Sequence, residues 1–220
     1  MERTTCAGSA RVEDCANNPF ASCWARYYDR LLTAPLIGAI RHSEERTLAD
    51  LMAQTVQPTD HVLEIGPGTG HYTVSLCQQA AQVTAVEQSA EMLSLLDKRL
   101  EGVGATNCTM IRDDFLRVGF DETFDVVVLM GVLDYVTEPA EFLSEAAALA
   151  RRALIFTTPF CGFLAKVHRT CNRLRGVAIS TYTPGRIRSY LPDFDVDIQE
   201  TGRCSRLWRG MTLACQAVRS

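Results

Sequence analysis

Apolar positions change their spacing along the chain, and this change divides it into a helical part and a mixed part. From Phe20 to Leu32, and again from Pro35 to about Val56, they recur at the intervals of a helix that faces a core. Beyond this point, short apolar runs alternate with helix-length segments. The runs predict strands over His61–Ile65, Gln82–Val86, Cys108–Ile111, Phe124–Met130 and Ala153–Thr157. The intervening segments predict helices over Thr73–Gln79, Ala90–Leu100 and Pro139–Ala150. Such alternation is typical of a parallel sheet covered on both faces.

The last third of the chain predicts a different end to this sheet. A short helix begins near Pro184, and strands are expected near Phe194–Glu200 and Met211–Val218. Two late strands joined by a short loop favour an antiparallel pair that closes one edge. The predicted fold is therefore α/β, a Rossmann-like doubly wound sheet of about seven strands, mostly parallel with an antiparallel C-terminal edge pair.

Composition supports a folded domain and adds an asymmetry of charge. Of the 220 residues, 47% are hydrophobic and 22% are charged, which excludes a fully disordered or fibrous chain. The net charge of -4 combines two unlike parts. Residues 1–150 hold 10 basic and 22 acidic residues, whereas residues 151–220 hold 12 basic and 4 acidic ones. The two parts are therefore expected to serve different purposes.

Nine cysteines raise the question of a disulfide scaffold or a metal site. They lie at positions 6, 15, 23, 77, 108, 161, 171, 204 and 215, with no Cys-x-x-Cys pair. The odd number, the wide spacing and the lack of an apolar secretion signal favour reduced thiols in a cytoplasmic protein. We expect no metal, although a metal shared by Cys6, Cys15 and Cys23 stays open. We also expect no transmembrane helix, because no uncharged apolar stretch reaches about 18 residues.

A glycine-rich turn follows the first predicted strand. Gly66, Gly68 and Gly70 lie between that strand and the next predicted helix, where glycine lets the backbone turn sharply and approach a ligand. Glu87 ends the second predicted strand, 21 residues after Gly66, at the spacing of a carboxylate that binds ribose hydroxyls. For the glycines alone, a plain strand–helix turn is the alternative. Together with Glu87 they predict a nucleotide-like ligand at the carboxyl ends of the strands.

The pattern Glu-x-Gly-x-Gly-x-Gly, followed by an acidic residue after the second strand, resembles the class I S-adenosylmethionine-dependent methyltransferases, in particular their small-molecule members. The resemblance extends over most of residues 20–218 and implies S-adenosylmethionine as the cofactor. It implies that Glu64, Gly66 and Gly68 approach the methionine part and that Glu87 approaches the ribose. By the same resemblance, the cofactor-binding residues are Tyr28, Glu64, Gly66, Gly68, Gly70, Glu87, Gln88, Asp113, Asp114, Phe115 and Met130.

Two further segments carry this resemblance. Residues 111–115 resemble the family's acidic segment, whose carboxylate reads the adenine amino group; Asp114 is favoured, and the adjacent Asp113 stays open. Residues 24–29 resemble the family's N-terminal helix with a Tyr-Asp pair, which folds over the cofactor. An ordinary packing role is the alternative for Tyr28.

The loop after the fourth predicted strand carries the first catalytic candidate. Residues 124–136 resemble the family's fourth strand and substrate-facing loop, where Asp134 is positioned to take a proton from an acceptor hydroxyl or amine. Capping of a helix or turn is the alternative for this carboxylate. His71, beside the glycine loop, is the second candidate base, and contact with the cofactor is its alternative. An acceptor that is already ionised needs no base, so proximity would then account for catalysis.

The sequence also limits the acceptor. Members of this superfamily that methylate exocyclic base nitrogens or glutamine amides carry a Pro-Pro-aromatic motif after the fourth strand, where this chain has Met130–Leu133. In residues 160–175, apolar positions at helical spacing alternate with basic ones, which predicts a cationic amphipathic helix. The resemblance to the family implies that this helix lies on the acceptor side. Such a helix suits a carboxylate or phosphate acceptor, or an anionic membrane surface. A solvated helix packed on the sheet is the alternative.

We therefore expect a cytoplasmic methyltransferase that acts on a small, acidic or amphiphilic molecule, without a nucleic-acid partner. One alternative is a lipid-headgroup or tetrapyrrole methyltransferase that contacts a membrane surface through residues 160–175. An alternative of another class is a non-catalytic regulatory or scaffold protein that binds the cofactor.

The expected organisation is a disordered segment over 1–18 and one methyltransferase domain over 19–220. Within this domain we expect three parts. They are a helical cap (19–57), a cofactor-binding core (58–159) and an acceptor-side helix with the final strands (160–220).

Overall fold

The computed structural model describes residues 35–133, 135–136, 138–159, 182–201 and 212–219. The helices are α1 (Pro35–Thr55), α2 (Thr73–Gln79), α3 (Ala90–Val103), α4 (Phe115–Val118), α5 (Pro139–Leu149) and α6 (Pro184–Tyr190). The strands are β1 (His61–Ile65), β2 (Gln82–Val86), β3 (Cys108–Ile111), β4 (Phe124–Leu129), β5 (Ala150–Pro159), β6 (Phe194–Glu200) and β7 (Thr212–Arg219). The predicted helix over residues 20–32 and the predicted disordered segment over 1–18 lie outside the described residues.

The seven strands form one sheet in the order β3-β2-β1-β4-β5-β7-β6. Strands β1 to β5 pair in parallel, whereas β7 pairs antiparallel with both β5 and β6. The predicted fold class is therefore confirmed, including the antiparallel pair at the C-terminal edge. The division of the domain into a helical cap (19–57), a cofactor-binding core (58–159) and an acceptor-side part (160–220) stays a prediction.

The core consists of two apolar layers, one on each face of the sheet. On one face, Leu48 and Met52 of α1 share a buried cluster with Val126 of β4. On the other face, Leu143 of α5 packs in a cluster with Leu154 of β5. Coverage on both faces explains why the central strands are apolar at nearly every position instead of alternating.

The structure differs from the sequence prediction in several elements. Helix α3 continues past Leu100 to Val103 and ends where Gly104 adopts a left-handed conformation, a common helix stop. Strand β5 begins at Ala150, directly after α5, and not at Ala153. The single-turn helix α4 was not predicted, and the Asp114 side chain caps it by accepting a hydrogen bond from the Leu116 amide at 3.2 Å.

The parallel strands place their carboxyl ends along one edge of the sheet, and the candidate site lies there. The loops after β1, β2, β3 and β4 therefore meet at this edge. Among the described residues, no helix combines the length and the apolarity that crossing a bilayer requires.

Candidate functional site

The three glycines after β1 adopt left-handed backbone conformations, with φ of 68° at Gly66, 57° at Gly68 and 82° at Gly70. Two of them make room for packing. A Cβ at Gly66 would lie 2.7 Å from Cγ2 of Val132, and one at Gly70 would overlap Cδ1 of Leu96. At Gly68, by contrast, a Cβ would meet nothing within 4 Å. The turn therefore packs against the protein at its two ends and borders open space at its middle glycine.

Glu87 links the loop after β2 to this glycine turn. Its Oε2 accepts a hydrogen bond from the Gly68 amide at 3.2 Å, and its Oε1 accepts one from the Ser89 amide at 2.9 Å. Burial raises the pKa of Glu87, and hydrogen bonds from backbone amides act against that rise. Glu87 therefore contacts the glycine turn, while its contact with a ribose stays a prediction. Gln88 beside it is exposed.

Glu64, in the middle of the candidate site, is a buried carboxyl group without a full set of partners. It is 2% exposed, and its register neighbours in β2 and β4 are the apolar Ala85 and Val128. Its Oε2 has no hydrogen-bond partner. Burial raises the pKa of Glu64 to about 7, and the charge of Glu87 contributes in the same direction.

The hydroxyl of Thr73, at the start of α2, is the polar group that favours ionised Glu64. It lowers the pKa of Glu64 by less than burial raises it. Oγ1 of Thr73 is itself buried and has no partner within hydrogen-bonding distance, so it acts on the carboxylate as a nearby dipole. The sequence pattern gave no reason to select Thr73, because its relation to Glu64 depends on how α2 packs on β1.

The acidic segment after β3 is engaged in local turn structure. Asp114 caps α4, and Oδ1 of Asp113 accepts a hydrogen bond from the Asp114 amide at 2.7 Å. The Phe115 side chain is 6% exposed and packs against Phe142, with ring centroids 5.1 Å apart. The structure thus gives Phe115 a packing role, and adenine recognition by this segment stays a prediction.

The loop after β4 is held by contacts that come from distant parts of the chain. The Gly131 amide donates to Oγ1 of Thr157 in β5 at 2.7 Å. The buried Tyr182 hydroxyl donates to the Leu133 carbonyl at 3.2 Å. Met130 is partly buried and packs on the α1 side of the sheet. The candidate base Asp134, which follows Leu133, lies outside the described residues.

His71 contacts a carboxylate of α1, and this contact was not predicted. Its Nε2 lies 3.2 Å from Oε1 of Glu45 in α1, and its side chain is 49% exposed. Its ring packs edge-on against Tyr72, with centroids 4.9 Å apart. This contact ties α1 to the end of the glycine turn. The role of His71 as a base stays a prediction, and Tyr28 lies outside the described residues.

Three features of this edge fit S-adenosylmethionine. The buried Oε2 of Glu64 lacks a hydrogen-bond partner, and the space beside Gly68 is open. The Glu87 carboxylate lies beside the same turn, in contact with the Gly68 amide. A cationic ligand with hydroxyl groups would satisfy the first and the last of these. Within the described ranges, no cluster of three His, Cys, Asp or Glu side chains could hold a metal ion.

A comparison with family models gives one match, to the family described as Methyltransferase domain, over residues 63–155. This span begins in β1 and ends in β5, so it contains the glycine turn, Glu64 and Glu87.

Solved structures share the whole fold. The chain is similar to the magnesium protoporphyrin IX methyltransferase of Synechocystis PCC 6803 with bound S-adenosylhomocysteine, with a TM-score of 0.76 and 21% identity. That match covers 94% of this chain and 100% of the other. It establishes the similarity of fold.

Curated relatives match over shorter spans. A mitochondrial ribosomal RNA small subunit methyltransferase of Arabidopsis thaliana is 46% identical over 74 residues, which is 33% of this chain and 19% of that protein. A protein-L-isoaspartate O-methyltransferase of Koribacter versatilis is 32% identical over 152 residues, which is 68% of this chain and 66% of that protein. The chain thus spans less than two thirds of the length of both relatives.

Proposed function

We propose that this chain, which belongs to the class I S-adenosylmethionine-dependent methyltransferases, transfers a methyl group from that cofactor to a small acidic or amphiphilic acceptor. The observation that carries the proposal is the arrangement at the carboxyl edge of the sheet. There, the open side of Gly68, the Glu87 carboxylate and the unpartnered Glu64 carboxyl group are brought together. A cytoplasmic location is part of the proposal.

The residues of the chain would hold and orient the cofactor. Glu87 would accept hydrogen bonds from ribose hydroxyls, Gly68 would allow close approach of the backbone, and Glu64 would face the cationic methionine part. When bound, S-adenosylmethionine supplies a methyl group on a positively charged sulfur, so the protein provides position and electrostatics. The loop that Thr157 and Tyr182 hold in place would border the acceptor.

An acidic acceptor agrees best with the distribution of charge along the chain. The basic residues of the chain are concentrated after residue 150, where an anionic molecule would be attracted. A carboxylate is already ionised near neutral pH and needs no base. This accords with the contact between His71 and Glu45, which engages the described candidate base. In this proposal, proximity accounts for most of the rate enhancement.

A tetrapyrrole acceptor is the second candidate. It is favoured by the similarity in fold to the magnesium protoporphyrin IX methyltransferase, which extends over 94% of this chain. A porphyrin with carboxylate side chains is both acidic and amphiphilic, so it belongs to the proposed substrate class. Work at a membrane surface through residues 160–175 belongs to this candidate, and those residues lie outside the described ranges.

An acceptor screen tests the proposal. The full chain is incubated with S-adenosylmethionine labelled in its methyl group and with four acceptor sets: porphyrins with and without magnesium, small carboxylic acids, an isoaspartyl peptide, and ribosomal RNA. We expect label in a porphyrin or another small acid. Label in RNA or peptide alone would contradict the proposed acceptor class. Cofactor binding without transfer to any fraction of a cell extract would favour the non-catalytic alternative.

Substitution of Glu87 tests the cofactor site directly. Glu87→Ala removes a carboxylate that is placed to accept hydrogen bonds from a ribose, so we expect affinity for S-adenosylmethionine to fall roughly 10- to 100-fold, or about 1.5–3 kcal/mol. Isothermal titration calorimetry measures the change. Glu101→Ala, on the exposed end of α3, is the matched control. Equal affinity of the two variants would mean that Glu87 is not the ribose ligand.

A further inference from the structure

The proposed function leaves open which protonation state Glu64 has before and after the cofactor binds. Its side chain is 2% exposed, one carboxyl oxygen is unpartnered, and its neighbours on both adjacent strands are apolar. Burial of a carboxylate in such a place is costly unless a cation or several donors compensate it. The hydroxyl of Thr73 is a weak substitute for either.

The titratable groups around Glu64 add no compensation. Glu87, after β2, raises the pKa of Glu64. Cys77 of α2 and Cys108 of β3 also interact electrostatically with Glu64. None of these three groups carries a positive charge. On the α1 side, Glu45 is engaged with His71, and Met130 and Gly131 after β4 are uncharged.

Because the pKa of Glu64 is about 7, its carboxyl group exists near neutral pH as a mixture of the neutral and ionised forms when no ligand is bound. A cation brought next to it would favour the ionised form, since the attraction between opposite charges is strong where water is excluded. The methionine part of S-adenosylmethionine carries two positive groups, an ammonium and a sulfonium.

We propose that Glu64 loses its proton when S-adenosylmethionine binds, so that binding of the cofactor and release of a proton to solvent are coupled. The inference rests on the proposed function, because it takes the cofactor from there. The step balances as follows: the neutral carboxyl group and the cation become a carboxylate paired with the cation and one proton in solution. No electron is transferred and no covalent bond to carbon changes.

Proton release makes affinity depend on pH. Below about pH 7 the cofactor must displace a proton from Glu64, whereas above it the carboxylate is already ionised. We expect the affinity for S-adenosylmethionine to fall about tenfold between pH 8 and pH 6 through this group.

Calorimetry in several buffers tests the inference. S-adenosylmethionine is titrated into the full chain at pH 6.0, where the amino group of the cofactor is already protonated, in buffers with different enthalpies of ionisation. The dependence of the observed enthalpy on the buffer gives the number of protons released. We expect about 0.9 proton per site for the wild-type chain, none for Glu64→Gln, and the wild-type value for Glu101→Gln.

The outcomes separate this inference from the proposed function. Binding without proton release at pH 6.0, or equal release by Glu64→Gln and the wild-type chain, overturns the inference and leaves the proposed cofactor intact. Absence of binding between pH 6 and pH 8 overturns both. If Glu64→Gln does not fold, the test rests on proton release and on the change of affinity with pH in the wild-type chain, and a constant affinity contradicts the inference.

Discussion

Two buried carboxyl groups lie at opposite ends of β1, and they differ in how fully other groups of the protein pair with them. Asp60, just before the strand, is 4% exposed and accepts a hydrogen bond from the Gln57 amide at 2.7 Å. It also forms an ion pair with Arg152 of β5. Glu64, four residues later, is equally buried but has an unpartnered oxygen. The same strand thus has a compensated charge at one end and an uncompensated carboxyl group at the other.

The contacts around Asp60 explain its role. Arg152 also donates to the Thr55 carbonyl at 2.7 Å, and Gln216 of β7 donates to the Thr55 hydroxyl at 2.8 Å. These bonds join α1, β5 and β7 through Thr55. Polar groups satisfied within the protein stabilise the fold, whereas a polar group left unsatisfied reduces stability and is available to a ligand. The comparison therefore separates the structural end of the sheet from the functional end.

Breaking the pair at the structural end should have the largest effect on stability. Arg152→Met leaves Asp60 buried without its cation, and we expect a loss of about 3 kcal/mol in the free energy of unfolding. Arg151→Met is the matched control, because Arg151 pairs with Asp125 at the surface and is 52% exposed. We expect that variant to lose less than about 1 kcal/mol. Urea unfolding measures both, and equal losses would contradict the distinction.

Replacement of the titratable carboxyl group of Glu64 should change the free energy of unfolding by an amount that depends on pH. The pKa of Glu64 is about 7 in the folded protein against an ordinary value of 4.5, so the folded state holds the proton over that interval. The contribution of this group to stability therefore declines as the pH rises through the interval. Relative to wild type, Glu64→Gln should gain about 2–3 kcal/mol in unfolding free energy between pH 5 and pH 8.

Urea titrations of both chains at pH 5 and pH 8, without cofactor, measure that gain. Glu101→Gln serves as the exposed control and should follow the wild-type curve. A constant difference between Glu64→Gln and wild type at the two pH values would show that Glu64 does not titrate as described.

The glycine turn also has one position that serves packing, Gly70, and one that borders open space, Gly68. At Gly70, alanine adds a strained backbone and a clash with buried Leu96, so Gly70→Ala should cost about 2 kcal/mol of stability. At Gly68, where the space is open, alanine should cost about 1 kcal/mol through the backbone alone. Gly68→Ala should nevertheless weaken cofactor binding, which calorimetry measures. Wild-type affinity in Gly68→Ala would mean that the cofactor does not approach this glycine.

The sequence was sufficient for those parts of the site that depend on local pattern. Glu64, the three glycines and Glu87 belong to one strand-turn-helix-strand unit, so their common edge followed from the direction of parallel strands. The contacts of Thr157 with Gly131 and of Arg152 with Asp60 join residues 26 and 92 positions apart. A single amino-acid sequence gives no signal for pairs that only tertiary packing brings together.

Element boundaries show the same limit. The short helix α4 depends on capping by Asp114, a residue that the sequence had associated with adenine, and one carboxylate can satisfy either role. Strand β5 begins at Ala150 because its pairing with Phe124 of β4 extends the strand beyond its apolar run. In both cases a specific contact fixes the element boundary, whereas composition leaves two outcomes open.

The hydrogen bond between Tyr182 and Leu133 has a consequence for how such proteins diversify. Strand β5 ends at Pro159, paired with Thr212 of β7, at the edge where the carboxyl ends of the parallel strands lie. Tyr182 brings the chain back to that edge. Pro159 and Tyr182, the residues that flank positions 160–181, thus both belong to the scaffold, and we expect an exchange of the sequence between them to leave the strand order unchanged. Grafting this segment between related chains would then test whether it determines acceptor preference, while the cofactor site is kept.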